Sequence, residues 1–329
     1  MIDIIFIFWY NYLWITVRQI RSARWGRRIS MNNVTFNKKG TIKYLIWTFL
    51  IAWLAQVIIA VFSRIGLAAA GQILMTAMMF APLLGVLLSG QKLTGMGWKP
   101  RLKGKVRFVL AAWFIPTVLT AVGAAIYFAV FPGHFDLSGA YIAENGGAEA
   151  LEQLEAQGIT YPVYVLITIV GCLTYLPLIN MLAAIGEEAG WRGFLYPQLK
   201  ARFGKGKGWL IGGVIWGAWH WPVMCLTGYE YGTDYVGFPI VGMLLFCVIV
   251  TAWGILCDWL YEKTGCIWVP SVFHGAINAS ATVPLAVCIP STGSGILAGP
   301  APHGILAGLP MLLCAVILLF GAVREKKAE

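Results

Sequence analysis

The sequence predicts an all-α polytopic membrane protein, a bundle of about eight transmembrane helices, and two observations support this prediction. Hydrophobic residues make up 59% of the 329 residues and charged residues only 12%, against about 25% charged in an average soluble domain. Several runs of about 18 to 25 residues carry no charge, which is the length that crosses a hydrocarbon core about 30 Å thick. A water-soluble fold of this length could not bury so much apolar surface.

The predicted spans belong to one bundle domain, 44–323, because no repeat or long Gly/Ser linker sets off a second globular domain. A basic N-terminal segment, 1–43, precedes the bundle, and a short tail, 324–329, follows it. The eight spans are expected near 44–62, 72–90, 108–130, 162–186, 208–226, 238–260, 267–288 and 305–323.

The first thirty residues fit this scheme poorly. The stretch Ile2–Val17 is apolar and aromatic, is shorter than a comfortable span, and is followed by arginines rather than preceded by them. Two interpretations stay open. The segment 1–30 is either an interfacial anchor with a basic flank, or an upstream extension of a protein whose natural start is Met31.

The net charge of +10 reflects topology and does not indicate a nucleic-acid partner. Basic residues cluster in every second loop along the chain. The loops between them contain a single lysine or arginine, Arg64, and one of these loops, 131–161, is acidic. This positive-inside pattern predicts a multi-pass protein of the cell membrane with both termini in the cytoplasm and with membrane lipid as a partner. The basic groups include Lys38, Lys39, Lys43, Lys92, Arg107, Arg192, Lys207, Lys263, Arg324, Lys326 and Lys327.

A few polar side chains lie where membrane helices usually avoid them. A charged group at the bilayer centre costs at least about 2.5–3.5 kcal/mol, so it normally faces the protein interior and has a function. The candidate residues occur at the end of the fourth predicted span and within the fifth and seventh. They are Glu187, Glu188, Arg192, His220, His274 and Asn278.

Helical spacing suggests how these groups are arranged. Residues four apart lie on one helix face, so Glu188 and Arg192 are expected to pair, and His274 and Asn278 to point at one spot. Glu187 is rotated by about 100° from its neighbour and faces elsewhere, which leaves it free for chemistry. Small residues near each group allow three helices to converge on one polar pocket.

Each candidate also has an interpretation without catalysis. A single histidine in a membrane helix more often makes an interhelical hydrogen bond, and a carboxylate pair near a helix end can simply neighbour lipid headgroups. The combination favours function, because His220 and His274 both fall inside spans and beside other polar or small residues. The other two histidines, His134 and His303, lie in loops and are expected to be solvated.

Three strings carry a family resemblance, in order and spacing. They are Glu187-Glu188-x-x-x-Arg192, Trp216-x-x-x-His220 and His274-x-x-x-Asn278. Over about 160–285 the chain resembles the CPBP (Abi) family of intramembrane proteases, which includes the CAAX prenyl endopeptidases of the Rce type. The second string departs from the family's usual Phe-x-x-x-His by an aromatic exchange. The first 150 residues add only compatible topology.

The resemblance implies an intramembrane endopeptidase acting on membrane-associated peptides or proteins, lipidated or not. Amide hydrolysis needs an activated water, a stabilised oxyanion and a proton for the leaving amine. Glu187 with His220 would activate the water, while His274 and Asn278 would donate hydrogen bonds to the oxyanion. The remaining glutamate and the arginine of the first string would be structural partners. The sequence names neither the substrate nor the host.

Two alternatives stay open. Glu187, His220 and His274 are also the ligand types of a catalytic zinc site, but no His-Glu-x-x-His helix is present, so a metal-free mechanism is slightly favoured and zinc remains the one candidate cofactor. The other function class is non-catalytic, either a bacteriocin-immunity-type binding partner or a transporter. Transport predicts paired repeats with broken helices, and the sequence shows no such symmetry.

Overall fold

Helices make up most of the chain in the computed structural model, which describes residues 34–146, 148–289 and 295–328. The stretch Ile2–Val17 and the alternative starts at Met1 and Met31 lie outside these residues. In chain order the helices are α1 (Lys38–Arg64), α2 (Ala68–Met78), α3 (Ala81–Leu88), α4 (Val106–Val130), α5 (Ala140–Gly146), α6 (Ala148–Ala156), α7 (Tyr161–Leu173), α8 (Leu176–Gly190), α9 (Tyr196–Phe203), α10 (Lys205–Trp219), α11 (Trp221–Thr227), α12 (Ile240–Thr264), α13 (Trp268–Ser280), α14 (Thr282–Ala286), α15 (Gly295–Ala298) and α16 (Leu309–Ala328).

The helical membrane fold predicted from the sequence is confirmed, and four to six spans qualify by length and composition among the described residues. Within the described ranges, four helical segments are long and apolar enough to cross a bilayer, and two bent pairs raise the number to six if each pair is one span. The four are Lys38–Arg64, Val106–Val130, Lys205–Thr227 and Ile240–Thr264. The count of eight, the domain limits and the orientation of the termini stay predictions.

The first helix shows the expected surface of a membrane span. Its N-terminus is capped by Asn37, whose side-chain oxygen accepts a hydrogen bond from the Gly40 amide at 2.9 Å, so the helix begins at Lys38 rather than near residue 44. Along one face Ile46, Leu50 and Leu54 are each more than half exposed. An apolar stripe of this kind is stable against lipid and costly against water.

The segment predicted as a fourth span, 162–186, is divided into two helices. One helix, α7, ends at Leu173, and α8 begins at Leu176 with Pro177 in its first turn. Proline has no amide hydrogen and is favoured in the first turn of a helix, where that hydrogen would be unpaired. The break lets α8 take its own direction into the bundle and continue to Gly190.

The segment predicted as a seventh span, 267–288, instead contains a short interior helix. Helix α13 has 13 residues, which corresponds to about 20 Å, and it packs against α8, α4 and α12. All of its residues are buried except Trp268 and Asn278. The apolar run 267–288 therefore reflects a segment that is buried mainly by other helices and not by lipid.

The closest approach of α8 and α13 depends on Gly275. A Cβ atom at this position would lie 2.5 Å from the Pro177 carbonyl oxygen and 2.6 Å from the Met181 backbone nitrogen. Both distances are shorter than a van der Waals contact, and backbone atoms cannot rotate away. Only glycine allows the two helices to pack at this distance.

We expect Gly275→Ala to destabilise the protein by about 1–3 kcal/mol, because the added methyl group would force α8 and α13 apart. The midpoint of thermal unfolding in detergent measures this. Gly321→Ala is the matched control, since Gly321 lies in α16 with nothing within 4 Å of its added Cβ, and it should be neutral or stabilising by up to about 1 kcal/mol. Equal midpoints for the two variants would contradict the packing argument.

Candidate active site

The end of α8 leads directly into a π-helical turn, Trp191–Leu195. Such turns are rare, because their backbone hydrogen bonds depart from the regular α-helical pattern, and they are frequent at functional sites. Glu187 and Glu188 precede this turn, and each makes a hydrogen bond to the side chain four residues ahead, at Trp191 and Arg192 respectively. The two adjacent carboxylates therefore have different partners.

Glu188 is a fully buried carboxylate with two cationic or cation-forming partners. Its Oε1 accepts from Arg192 Nη1 at 2.9 Å, and both side chains have no exposed surface. The same oxygen accepts from His274 Nδ1 on α13, also at 2.9 Å. The pairing with Arg192 expected from spacing is confirmed, whereas the contact with His274, 86 residues away, was not expected.

Glu187 is 2% exposed and is bound by indole groups. Its Oε2 accepts from Trp216 Nε1 at 2.7 Å and from Trp191 Nε1 at 3.1 Å. An indole N–H is a donor only and carries no formal charge. These bonds fix the position of the carboxylate without neutralising its negative charge.

Trp216 connects the groups of the site. Besides donating to Glu187, its ring lies beneath the guanidinium of Arg192 at 4.3 Å and meets the His274 ring edge-on at a centroid distance of 5.3 Å. Stacking on an aromatic ring stabilises a buried guanidinium. The tryptophan that replaces the family's usual phenylalanine thus adds a hydrogen-bond donor that phenylalanine lacks.

His220 lies at the junction of α10 and α11 and is 9% exposed. Its Nδ1 is 3.0 Å from the Trp216 carbonyl oxygen. A carbonyl oxygen only accepts, so Nδ1 carries the hydrogen and the neutral ring presents the lone pair of Nε2. The Tyr229 ring lies parallel to the imidazole at 6.3 Å.

All four predicted catalytic residues line one cavity of about 120 Å³. Glu187 comes from α8, His220 from the end of α10, and His274 and Asn278 from α13. The convergence of three helices on a polar pocket, expected from the sequence, is confirmed. This volume can hold several water molecules between the candidate groups.

Comparison with known proteins agrees with this geometry. The model of the family described as Type II CAAX prenyl endopeptidase Rce1-like matches residues 169–280, the range that contains all six candidate residues. Over these residues the chain is similar to the Rce1-like family, and residues 169–280 are called the Rce1-like core below. The family expected from the three motifs is confirmed.

One curated relative of this Rce1-like core is the protein named CAAX prenyl protease 2 of Methanococcus maripaludis. It is 31% identical over 99 residues, which are 30% of this chain and 36% of the relative. The chain therefore matches about a third of the length of that relative.

The candidate zinc ligands of the Rce1-like core do not fit a metal site. In the described part of the chain, no group of three or more His, Cys, Asp or Glu side chains is arranged to hold a metal ion. Nδ1 of each histidine is hydrogen-bonded, which leaves Nε2 open as in most metal-binding histidines. The spacing of the side chains, and not the occupation of their donor atoms, is what disfavours zinc. The zinc shell of Glu187, His220 and His274 is thus not supported by the arrangement of its donors.

Sequence reasoning missed several residues of the site. Trp191 and Trp216 are apolar by composition, and only their contact with Glu187 reveals a polar role. Glu230 lies in a loop but lines the cavity. The expectation that His303 is solvated was wrong, because it is 5% exposed and its Nδ1 is 2.9 Å from Glu230 Oε2. The only sequence signal was that both residues are ionisable and lie in loops.

We expect Arg192→Met to destabilise the Rce1-like core by about 3–5 kcal/mol, because the change leaves Glu188 as a buried charge without its guanidinium partner. The midpoint of thermal unfolding in detergent measures the effect. The midpoint of Arg192→Lys should lie between those of the wild-type protein and Arg192→Met, because an ammonium group keeps the charge but does not stack on Trp216 as a guanidinium does. Arg202→Gln is the control, since Arg202 is exposed. A loss no larger than that of the control would show that the ion pair contributes little.

Proposed function

We propose that this protein is an intramembrane endopeptidase that hydrolyses peptide bonds of membrane-associated peptides or proteins. The observation that carries the proposal is the carboxyl group of Glu187, which accepts hydrogen bonds from two neutral indole donors and lines a cavity inside an apolar bundle. The similarity to a protein named CAAX prenyl protease 2 supports peptide-bond cleavage and makes lipidated substrates candidates.

The first step of the proposed mechanism is activation of water by Glu187 and His220. A buried carboxylate whose charge is retained is a suitable general base when the water lies within hydrogen-bond reach. His220 presents the Nε2 lone pair because Nδ1 donates to the Trp216 carbonyl. The two groups would hold the water between them, Glu187 would take its proton, and the resulting hydroxide would attack the scissile carbonyl carbon.

The second step is stabilisation of the oxyanion by His274 and Asn278. The amide of Asn278 supplies an N–H donor to the cavity that both residues line. His274 would donate to the oxyanion through Nε2 and to Glu188 Oε1 through Nδ1, which requires a doubly protonated ring. The two histidines thus differ in role because one faces a neutral carbonyl and the other a carboxylate.

Collapse of the tetrahedral intermediate completes the reaction. The leaving amine needs a proton, and Glu187 carries the proton that it took from the water. Transfer of this proton to the amine nitrogen breaks the C–N bond, regenerates the carboxylate and yields a new carboxyl terminus and a free amine. In this scheme Glu188 and Arg192 touch no reacting atom and act as positioning residues.

We expect Glu187→Gln to lower kcat/KM for a cleaved peptide by at least about 1,000-fold, because an amide cannot act as a general base. Fluorogenic peptides, with and without a C-terminal lipid, are tested with purified protein in detergent. Glu155→Gln is the control, since this glutamate is exposed on α6, and it should keep full activity. Cleavage that survives in Glu187→Gln would mean that the assignment of the base is wrong.

We expect cleavage to persist after removal of tightly bound metal, because the chain's own residues supply the base and the oxyanion donors. The protein is incubated with a strong chelator and desalted, its zinc content is measured, and peptide cleavage is assayed. Activity that falls in proportion to zinc and returns when zinc is added would instead support the metal-dependent mechanism.

A further inference from the structure

Glu230 places a second carboxylate on the wall of the candidate active-site cavity. It lies in the loop between α11 and α12 and lines the same cavity as Glu187 and His220. Its Oε2 accepts from His303 Nδ1 at 2.9 Å, and its side chain keeps 19% exposure against 7% for the histidine. The carboxylate is therefore held by His303 and still partly exposed.

The backbone of Glu230 is held in an unusual conformation. Its φ of +71° is the one positive value recorded for a residue other than glycine in the described chain. This region is disfavoured for a glutamate and persists where surrounding contacts hold it. Here those contacts are the ion pair with His303 and a hydrogen bond with Tyr229, whose ring lies parallel to that of His220.

The same contacts keep Glu230 charged. Burial by itself would raise the pKa of this carboxyl, but the ion pair with His303, the Tyr229 hydrogen bond and the nearby His220 bring the pKa below its ordinary value. The residue lies outside the candidate spans, which end at Thr227 and resume at Ile240. At neutral pH the cavity wall therefore carries a negative charge.

The cavity wall at Glu230 favours cations. The lining of the cavity contains the carboxylates of Glu187 and Glu230, and within the described residues it includes neither lysine nor arginine. The nearest buried guanidinium, Arg192, is paired with Glu188 and stacked on Trp216. In a site of low dielectric constant, this distribution attracts a positive group on a bound molecule and repels a negative one.

We infer that Glu230 is a specificity-determining residue that binds the ammonium or guanidinium group of a lysine or arginine side chain flanking the scissile bond. The inference rests on the proposed endopeptidase function, because Glu230 lines the same cavity as the proposed reacting groups Glu187 and His220. Preferred substrates are membrane-associated segments with a basic residue next to the cleaved bond. Acidic residues at that position are disfavoured.

The test compares fluorogenic peptides that differ at one position next to the cleaved bond, with lysine, norleucine or glutamate there. Norleucine matches the length of the lysine side chain without its charge. In the wild-type protein kcat/KM should be about tenfold higher for lysine than for norleucine, and lowest for glutamate. Glu230→Gln should reduce the ratio of lysine to norleucine to about one, and Glu230→Lys should make glutamate the best of the three.

Two further variants guard against a folding defect. His303→Gln removes the contact that lowers the pKa of Glu230, so the preference for lysine should fall and should return at higher pH, which a folding defect would not produce. Glu155→Gln, on an exposed part of α6, should leave the ratio unchanged. Equal kcat/KM for lysine and norleucine in the wild-type protein would overturn the inference, while a loss of all cleavage in Glu187→Gln would still support the endopeptidase.

Binding decides the matter if none of the peptides is cleaved. The lysine and norleucine peptides are titrated onto the full-length wild-type protein and Glu230→Gln in lipid nanodiscs, with fluorescence anisotropy as the readout. About tenfold tighter binding of the lysine peptide to the wild-type protein, lost in Glu230→Gln, supports the charge preference even though the endopeptidase proposal fails. Equal affinities overturn it.

Discussion

Burial of charge in an apolar bundle is the constraint on which this site depends. Glu188 has no exposed surface, and one of its oxygens accepts from both Arg192 and His274. An unpaired carboxylate at this depth would be strongly destabilising, whereas a paired one ties its partners in place. Because His274 lies on α13 and the other two groups lie on or just after α8, the pairing also fixes one helix against the other. The arrangement of the cavity follows from this contact.

The two adjacent glutamates divide structural and chemical work through their partners. Glu188 faces cationic groups, which offset its charge, while Glu187 faces two indole donors, which hold it without offsetting its charge. Trp216 contacts the surroundings of both glutamates, since its N–H donates to Glu187 and its ring stacks against the guanidinium of Arg192, the partner of Glu188. A single turn of helix thus presents two carboxylates in different surroundings, one for stability and, in the proposed mechanism, one for reaction. The π-helical turn that follows contains Trp191 and Arg192, the partners of the two carboxylates. Such turns are frequent at functional sites.

Close packing of backbone makes the polar cavity possible. Glycines at the crossings of α8 with α13 and of α10 with α12 bring main chains into contact; a Cβ at Gly217 would lie 2.7 Å from Cys247 Cα. The proximity lets short polar side chains from separate helices meet. At the edge of the cavity, two loops complete the wall through the ion pair of Glu230 and His303. The same bundle therefore places Glu187, His220 and Glu230 on the wall of one cavity.

The sequence by itself determined what depends on composition and on spacing along one helix. The membrane class follows from apolar content and the pairing of Glu188 with Arg192 from residues four apart, while the likeness of the core to a family rests on the resemblance of three motif strings. Contacts between segments distant in sequence were decided by the tertiary structure: His274 with Glu188, Trp216 with Glu187, and Glu230 with His303. Hydropathy also could not distinguish lipid from protein around 267–288, because both are apolar surroundings. Spacing defines one helix face, but only the packing of several helices decides what that face meets.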